Sequence, residues 1–310
     1  MDKNSKIYVA GHRGMVGSAI VRELERLGFA NIVKKTRREL DLTRQQDVEA
    51  FFEHEKPEYV FLAAATVGGI LANMSRQAQF LINNLQIQCN VIGSAYSHQA
   101  KKLMFLGSSC IYPKEADQPI SEDALLTGPL EPTNEGYAIA KIAGLKLCEY
   151  YARQQGADFI SLMPCNLYGY NDNFDLQNSH FLPALIRKFH EAKQSGADTV
   201  TVWGTGSVYR ELLFVDDLAK SCVFAMNSYS GSGFLNVGYG KDFTIAEFAE
   251  MVKKVSGYDG RIIYDTSKPD GMARKIMDSS KIRSLGWKPE VAVEEGIALT
   301  YDWYVQNEVV

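Results

Sequence analysis

The stretch Ile7-Tyr8-Val9-Ala10-Gly11-His12-Arg13-Gly14-Met15-Val16-Gly17 decides the fold of this chain. Its first four residues read as a buried strand, and a helical pattern follows from Met15 to Leu27. The glycines between them have the spacing Gly-x-x-Gly-x-x-Gly, which permits a tight turn and close packing of helix on strand. This order predicts a dinucleotide site with the diphosphate at the helix N-terminus. The alternative is a tight turn that binds no ligand.

Short apolar runs alternate with helical patterns through the first half of the chain. Strands are predicted at 7–10, 32–33, 59–64, 103–106 and 159–163, and helices at 15–27, 45–55, 77–99 and 137–154. This alternation predicts an α/β fold, a Rossmann-type doubly wound parallel sheet with helices on both faces.

The alternation of predicted strands and helices becomes less regular after Pro164. Residues 170–179 are rich in Asn and Asp and predict a loop. Helices are predicted at 183–192 and 245–255, the second capped by Thr244, and strands at 200–203 and 212–215. We therefore predict a dinucleotide-binding domain over 1–165, with a return segment near 208–240, and a smaller α/β lobe over 166–310 that mainly binds substrate.

Composition excludes several classes of protein. The chain has 310 residues, of which 46% are hydrophobic and 23% charged, as in ordinary globular proteins. A net charge of -4 gives no indication of nucleic-acid binding. Five cysteines with no Cys-x-x-Cys pair argue against a disulfide framework or a metal site. The sequence shows no apolar signal region and no run of membrane-spanning length, so we expect the cytoplasm.

The choice of cofactor depends on the residues about 20 positions beyond the glycine turn, where an NAD enzyme usually places an acidic residue for the ribose 2′-hydroxyl. This chain has Thr36-Arg37-Arg38 there, and Arg13 lies within the glycine turn. Guanidinium groups suit a 2′-phosphate through paired hydrogen bonds, so the pattern favours NADP over NAD. The alternative is that Arg37 and Arg38 are solvated loop charges.

Tyr137 and Lys141 form a Tyr-x-x-x-Lys pair on a predicted helix. Residues four apart share a helix face, so the ammonium can lie beside the phenol. A nearby cation favours the phenolate and lowers the phenol pKa from about 10 toward neutral pH. Such a pair is common in ordinary amphipathic helices, so the surrounding residues have to decide whether this one is catalytic. Ser108 follows the fourth predicted strand, at the sheet edge where doubly wound folds bind ligands.

Ser108, Tyr137 and Lys141 together resemble the catalytic triad of the short-chain dehydrogenases/reductases. The resemblance extends to the glycine turn, to Ala63-Ala64-Ala65 and to the segment Arg210–Asp217, which is typical of the extended branch that acts on nucleotide sugars. It implies that Tyr137 exchanges a proton, Lys141 holds the nicotinamide ribose and Ser108 orients the substrate.

Within that branch the chain is similar to the GDP-4-keto-6-deoxy-D-mannose 3,5-epimerase-4-reductases. The similar segments are 11–20, 65–70, 107–113, 130–135, 166–169, 172–174, 178–180 and 268–271. The resemblance implies conversion of that GDP-sugar to GDP-L-fucose, by epimerisation at C3 and C5 and then reduction of C4 with NADPH. It also implies that Cys110 is the base and His180 the acid, and that the protein is a homodimer through helices 77–99 and 137–154.

The implied chemistry suits these residue types. Hydrogens at C3 and C5 flank the C4 ketone and are acidified by it, and a thiolate and an imidazole can exchange protons near neutral pH. Without the resemblance, Cys110 would be interpreted as a buried small hydrophobe and His180 as a helix-start residue.

The same resemblance implies the binding residues. For the cofactor they are Gly11, His12, Arg13, Gly14, Met15, Val16, Gly17, Arg37, Asp41, Leu42, Ala64, Leu106, Gly107, Tyr137, Lys141, Pro164, Asn166, Leu167 and His180. For the GDP moiety they are Lys188, Trp203, Arg210 and Asp270.

The sequence departs from the family pattern at Gly136, where proline is expected, and at Cys165, where threonine is usual. Three other functions are open. A nucleotide-sugar 4-reductase would not need Cys110 and His180. A C4 epimerase with bound NAD would carry an acidic residue in place of Arg37. A non-catalytic NADP-sensing regulator would tend to lose the tyrosine or lysine of the triad.

Overall fold

The computed structural model describes residues 1–176, 179–268 and 270–307. Asn178 and Pro269, which belong to two of the similar segments, lie outside the described residues, as do 308–310. The strands are β1 (Ile7–Ala10), β2 (Ile32–Val33), β3 (Tyr59–Leu62), β4 (Lys102–Leu106), β5 (Phe159–Pro164), β6 (Asn166–Tyr168), β7 (Thr199–Trp203), β8 (Tyr209–Arg210), β9 (Leu212–Phe214), β10 (Phe234–Val237), β11 (Phe243–Thr244) and β12 (Arg261–Asp265). The helices are α1 (Met15–Arg26), α2 (Gln45–Glu55), α3 (Ile70–Ser75), α4 (Gln77–Ser97), α5 (Glu135–Gln155), α6 (Phe181–Ser195), α7 (Val215–Ser228), α8 (Ile245–Ser256), α9 (Ser280–Ser284) and α10 (Val293–Asn307).

The main sheet has six strands in the order β10-β5-β4-β3-β1-β2, all parallel. The predicted parallel α/β sheet is therefore confirmed. From β1 the chain runs outward to β2 and then returns to β3 on the other side of β1. This reversal opens a crevice beyond the carboxyl ends of β1 and β3, where doubly wound sheets bind ligands.

Burial on both faces explains why these strands are almost entirely apolar. Every residue of β1 and β5 is buried. Helices α2, α4 and α5 pack side by side, and α1 packs against α7. A sheet covered by two helix layers exposes little backbone to water, which a parallel sheet requires.

A second apolar cluster lies outside the main sheet, among α6, α8, α10 and the short pairs β6–β9 and β7–β12. Its largest buried side chains are aromatic and include Phe174, Phe189 and Phe248. The pair β8–β11 is antiparallel. Edge-to-face ring pairs such as Phe189 with Tyr258 order this cluster where regular sheet is scarce.

Most predicted elements are confirmed within a few residues. The third strand ends at Leu62 rather than Ala64, and α3 was not predicted. Thr244 forms the predicted cap: its hydroxyl accepts from Glu247 N at 3.1 Å, and the Glu247 carboxylate accepts from Thr244 N at 2.6 Å. No helix among the described residues is long and apolar enough to cross a membrane.

Candidate active site

The glycine turn after β1 makes two of its glycines structurally necessary. Gly11 has φ +85°, and a Cβ there would lie 2.8 Å from the backbone of Ala64. A Cβ on Gly17 would lie 2.1 Å from the Gly11 carbonyl oxygen, so helix and turn can approach this closely only without a side chain. At Gly14, which precedes α1, a Cβ would meet that oxygen at an ordinary 3.5 Å. Protein packing therefore leaves the space before Gly14 open to a ligand.

This difference predicts opposite effects for one substitution at two glycines. Gly17→Ser should destabilise the fold by about 3 kcal/mol, because its Cβ overlaps backbone. Gly14→Ser should leave the unfolding free energy nearly unchanged, since serine is a good N-cap, while weakening NADPH binding about tenfold. Urea unfolding and fluorescence titration with NADPH measure the two effects. Equal NADPH affinity in Gly14→Ser and wild type would contradict a diphosphate at this turn.

A cleft of about 540 Å³ opens beyond the carboxyl ends of β1, β3, β4 and β5. This volume lies in the range of small-molecule sites. All five predicted catalytic residues line it, as do the predicted cofactor residues Gly11, Gly14, Met15, Val16, Gly17, Arg37, Asp41, Leu42, Ala64, Leu106, Gly107, Pro164, Asn166 and Leu167. His12 and Arg13, also predicted as cofactor residues, are not part of its lining.

Lys141 of α5 is buried beneath the cleft. Its ammonium donates to the carbonyl oxygen of Leu106 at 2.7 Å and lies 5.7 Å from the centroid of the Tyr137 ring. Burial lowers the pKa of Lys141 to about 8, an effect that the Cys110 thiolate partly opposes. The predicted pairing of cation and phenol on one helix face is present, with the cation anchored to the end of β4.

Tyr137 differs from the sequence expectation in its acidity. Burial raises its pKa above the ordinary value, the negative charge of Cys110 adds to the rise, and a hydrogen bond with Ser108 opposes it. The neighbouring ammonium of Lys141 does not overcome burial, so the predicted lowering of the phenol pKa is wrong for the protein without ligand. A phenol that keeps its proton is suited to donate one.

Cys110 lies in a turn of 3₁₀ helix, Ser109–Ile111, directly after β4. Ser108 precedes this turn, and its hydroxyl accepts from Cys110 N at 3.3 Å. Burial raises the pKa of the Cys110 thiol, while the Ser108 hydroxyl and the ammonium groups of Lys275 and Lys141 act to lower it. The thiol therefore lies within the same cleft as the Ser-Tyr-Lys group, with two cations in its surroundings.

His180 approaches the cleft from the other lobe. It precedes α6 without a side-chain cap to the helix, so its ring is free to face the cleft rather than the helix end. The ring is exposed to the cleft and otherwise surrounded by protein, and this burial lowers its pKa. A neutral imidazole is thus the resting form near neutral pH.

The four residues predicted for the GDP moiety lie outside the cleft lining but close to one another. Trp203 is 59% exposed, which is unusual for its size. The ammonium of Lys188 lies 5.2 Å from the Trp203 ring, and that of Lys268 lies 5.6 Å away. An exposed aromatic ring flanked by two cations offers a stacking surface beside positive charge.

Arg210 and Asp270 form the neighbouring part of this second site. Arg210 donates to the carbonyl oxygens of Asp270 at 3.3 Å and Met272 at 2.6 Å. The Asp270 carboxylate accepts from Thr205 N at 2.7 Å and from the Thr205 hydroxyl at 2.9 Å. The carboxylate therefore orders the turn beyond Trp203 rather than neutralising the guanidinium directly.

The basic residues that line the cleft bear on the predicted preference for NADP over NAD. Arg37 and Lys35 line the cleft, and Arg37 is exposed beside Asp41. Within the described parts of the chain, the Arg37 side chain makes no hydrogen bond or ion pair. An open glycine turn and an unengaged guanidinium fit a dinucleotide with a 2′-phosphate. Arg38 is exposed but does not line the cleft.

This arrangement predicts that Arg37 makes the protein bind NADPH in preference to NADH. Arg37→Ala should weaken NADPH binding about tenfold and leave NADH binding unchanged, because the lost contact is with the 2′-phosphate. Arg38→Ala removes the same charge from the adjacent residue and should change neither affinity. Fluorescence titrations with both nucleotides measure these values, and equal losses in the two variants would assign the effect to general charge.

The structure shows the surroundings of Gly136 and Cys165, the two positions that depart from the family pattern. A Cβ on Gly136 would lie 2.8 Å from the carbonyl oxygen of Gln77, so the approach of α5 to the start of α4 favours glycine. Cys165 lines the cleft, and its thiol donates to the Asn166 carbonyl oxygen at 3.4 Å. Burial raises the pKa of Cys165 well above its ordinary value, with the nearby Glu211 adding to the rise.

Two residues at these sites were not predicted from the sequence as site residues. Lys268 begins the similar segment 268–271 but was given no role there, although its charge close to Asp270 was an available signal. Lys275 lines the cleft near Cys110 and belongs to no motif. Among the described residues, no group of three or more His, Cys, Asp or Glu side chains could hold a metal ion.

Known proteins are similar to this chain in both sequence and fold. A model of the NAD dependent epimerase/dehydratase family matches residues 7–238. The chain therefore belongs to that family.

Within the family, the similarity to GDP-L-fucose synthases runs the length of the chain. It is 63% identical over 306 residues to GDP-L-fucose synthase 1 of Arabidopsis thaliana, covering 99% of this chain and 95% of the relative. It is 50% identical over 312 residues to GDP-L-fucose synthase of Escherichia coli strain K12, covering 98% and 97%. A solved structure of GDP-mannoheptose C4 reductase from Campylobacter jejuni with NADP bound has a TM-score of 0.91 and 41% identity, covering 98% and 99%. The predicted resemblance is thereby confirmed.

Proposed function

We propose that this chain is an NADP-dependent enzyme that converts GDP-4-keto-6-deoxy-D-mannose to GDP-L-fucose, first by epimerising C3 and C5 and then by reducing C4. The observation that carries the proposal is the presence of Cys110 and His180 in one cleft with Ser108, Tyr137 and Lys141. A reductase needs the last three groups, whereas the thiol and the imidazole have a use only if protons on carbon are exchanged.

Cys110 and His180 carry the epimerisations. The Cys110 thiolate takes the proton from C3 or C5, and the electrons of the broken C–H bond move into an enolate at the C4 oxygen. Ser108 and Tyr137 both line the cleft and can donate to that oxygen as its charge develops. His180 takes up a proton from water beforehand and returns it to the opposite face of the same carbon, and its lowered pKa makes that proton easy to release. The thiol and the imidazole then exchange protons with water before the second centre reacts.

Tyr137 and Lys141 carry the reduction. When bound, NADPH supplies a hydride to C4. Tyr137 gives its proton to the C4 oxygen, which becomes the hydroxyl of the product. The raised pKa of Tyr137, caused chiefly by burial, keeps that proton in place until the oxygen becomes basic. Lys141 remains bound to the Leu106 carbonyl oxygen and is available to the ribose of the cofactor.

The GDP moiety is proposed to occupy the second lobe, residues 166–310. Trp203, Lys188 and Lys268 offer the ring and the charges that a base and a diphosphate require. Burial lowers the pKa of Lys188, yet that pKa starts far above neutral and the group stays charged. The cofactor correspondingly lies against residues 1–165 with the return segment near 208–240, which supplies β10 of the main sheet.

One reaction in deuterated water tests the proposal. The protein is mixed with GDP-4-keto-6-deoxy-D-mannose and NADPH, and the product is analysed by nuclear magnetic resonance. We expect loss of nicotinamide absorbance and deuterium at C3 and C5. Loss of absorbance without label at those carbons would make the chain a C4 reductase. Unchanged absorbance would refute the proposal and favour a non-catalytic NADP-binding role.

We also infer a homodimer, placed in the cytoplasm. Helices α4 and α5 pack together and leave Ile82 and Ile139 exposed by 48% and 43%. Pairing the two helices with those of a second copy would cover these side chains in a four-helix arrangement. Sedimentation should give two copies per particle for wild type and one for an Ile82→Lys, Ile139→Lys variant. A wild-type monomer would contradict the inference.

A further inference from the structure

Two asparagines of the cleft have no role in the function derived so far. Asn73 of α3 and Asn134, which precedes α5, both line the cleft. The Oδ1 atom of each is shielded from solvent, and neither has a hydrogen-bond partner among the described residues. A buried acceptor without a donor is unfavourable, and native proteins keep few of them. Both oxygens are therefore candidates for binding a ligand.

The amide of Asn73 is held in one orientation. The residue is 7% exposed, and its Nδ2 donates to the carbonyl oxygens of Gly68 at 2.7 Å and Gly69 at 3.1 Å. These bonds leave Oδ1 as the free end of the amide, and an amide oxygen can only accept. The same segment is held a second time by Asn84, whose Oδ1 accepts from Thr66 N at 2.8 Å and whose Nδ2 donates to the Thr66 carbonyl oxygen at 3.0 Å.

Asn134 stands at the N-terminus of α5 and does not cap it. Asparagine is among the residues favoured at this position, yet its side chain makes no hydrogen bond to the helix. The amide is therefore available for another partner. Tyr137 follows three residues later, about 5 Å further along the helix axis. Asn134 is thus close to the phenol that meets the C4 oxygen in the proposed reaction.

The two asparagines belong to elements that contact each other. Helix α3 packs against the turn Pro132–Asn134. Gln77, at the start of α4, donates from Nε2 to the Pro132 carbonyl oxygen at 3.0 Å and holds the turn there. Adjacent parts of the cleft wall therefore present two acceptors, which a ligand with two hydrogen-bond donors would satisfy.

The hexose of the proposed substrate has two such donors. Its C4 is a ketone, its C6 a methyl group and its C5 oxygen part of the ring, so only C2 and C3 carry hydroxyl groups. We propose that Asn73 and Asn134 form a hydroxyl-binding subsite, in which Asn134 accepts from the C3 hydroxyl and Asn73 from the C2 hydroxyl. This inference rests on the proposed function. Asn134 is assigned to C3 because C3 adjoins C4, which must lie at Tyr137.

The two contacts differ in what they do during the reaction. The C2 hydroxyl keeps its configuration throughout, so the fixed acceptor of Asn73 anchors the ring while C3 and C5 invert. The C3 hydroxyl changes sides. Asn134, whose amide makes no hydrogen bond among the described residues, can turn with it. Both contacts make the site discriminate against sugars that lack these donors, because an acceptor would then stay unpaired.

Two substrate analogues separate the contacts. The 3-deoxy analogue of GDP-4-keto-6-deoxy-D-mannose lacks the C3 donor, and the 2-deoxy-2-fluoro analogue carries a fluorine that cannot donate. The full chain is saturated with NADPH, and kcat/KM is measured for all three sugars. We expect Asn134→Ala to lower kcat/KM about tenfold for the natural sugar and to leave the 3-deoxy value unchanged. Asn73→Ala should show the same contrast between the natural and the 2-fluoro sugar.

Three variants serve as controls. Asn134→Asp keeps an acceptor oxygen and should retain most of the wild-type kcat/KM. Asn84→Ala loosens the segment that Asn73 holds, but Asn84 does not line the cleft, so any loss it causes should be equal for the natural and 2-fluoro sugars. If Asn73→Ala does not fold by circular dichroism, Asn73→Ser, which keeps a donor for the Gly69 carbonyl oxygen four residues back, takes its place.

Two results would overturn the proposal. One is an equal loss for the natural sugar and the matching analogue, which would make the asparagines structural. The other is weakened NADPH binding in either alanine variant with unchanged contrast between sugars, which would assign the acceptor to the cofactor carboxamide. Failure of the proposed function looks different, because wild type would then leave the nicotinamide absorbance unchanged. Calorimetric affinities of the NADP-saturated protein for the same three sugars would still have to show each variant insensitive to its own analogue.

Discussion

Tyr137→Phe is expected to lower the rate of C4 reduction about 10³-fold while leaving the fold and NADPH binding intact. Reduction produces an alkoxide at C4 that must receive a proton as the hydride arrives. Tyr137 lies in the cleft beside Ser108, and its raised pKa, due chiefly to burial, means that it holds this proton at neutral pH. Phenylalanine keeps the ring and removes the proton.

The effect should fall on chemistry rather than on binding. The Lys141 ammonium is anchored to the Leu106 carbonyl oxygen and keeps its position without the phenol hydroxyl. Ser108 remains as one donor to the C4 oxygen, so deuterium exchange at C3 and C5 should decrease less than reduction. Single-turnover nicotinamide absorbance measures reduction, and fluorescence titration measures the NADPH affinity.

Tyr150→Phe is the matched control, since Tyr150 lies on the same helix and is 43% exposed. Its reduction rate should equal that of wild type. If Tyr137→Phe consumed NADPH at the wild-type rate, another group would have to supply the proton. The assignment of the Tyr-x-x-x-Lys pair to reduction would then be wrong.

Features that depend on neighbouring residues in the chain could be predicted from the sequence. The glycine turn follows from close contacts between Gly11 and Gly17, which a strand-turn-helix order already requires. The cap at Thr244 depends on a glutamate three residues later and was predicted in place. The resemblance then identified Ser108, Cys110, Tyr137, Lys141 and His180, and the structure brings all five into one cleft.

Features that depend on distant residues could not be predicted. Lys275 reaches the cleft because Gln118 and Glu211 hold its segment, and no local pattern links these three positions. The acidity of Tyr137 depends on how much protein surrounds it, which spacing on a helix does not reveal. The predicted proximity of cation and phenol was correct, whereas the predicted direction of the pKa change neglected desolvation.

Cys110→Ser is expected to reduce deuterium exchange at C3 and C5 about 10³-fold. A serine hydroxyl is nearly the same size as the thiol and can keep the turn after β4, but it ionises far less readily. Because Cys110 is only 7% exposed, water is poorly placed to act as the base in its stead. Label in recovered substrate and product, resolved by carbon position, measures the exchange.

Cys165→Ser gives this prediction its sharpest control, because Cys165 is a second buried thiol in the same cleft. Burial and the nearby Glu211 raise the pKa of Cys165, and its thiol is already directed to the Asn166 carbonyl oxygen. Exchange should therefore survive in Cys165→Ser. If exchange were lost in Cys165→Ser and retained in Cys110→Ser, Cys165 would be the base. The role assigned to Cys110 would then be wrong. Equal retention in both variants would remove the thiols from the chemistry and leave His180 to act with another group.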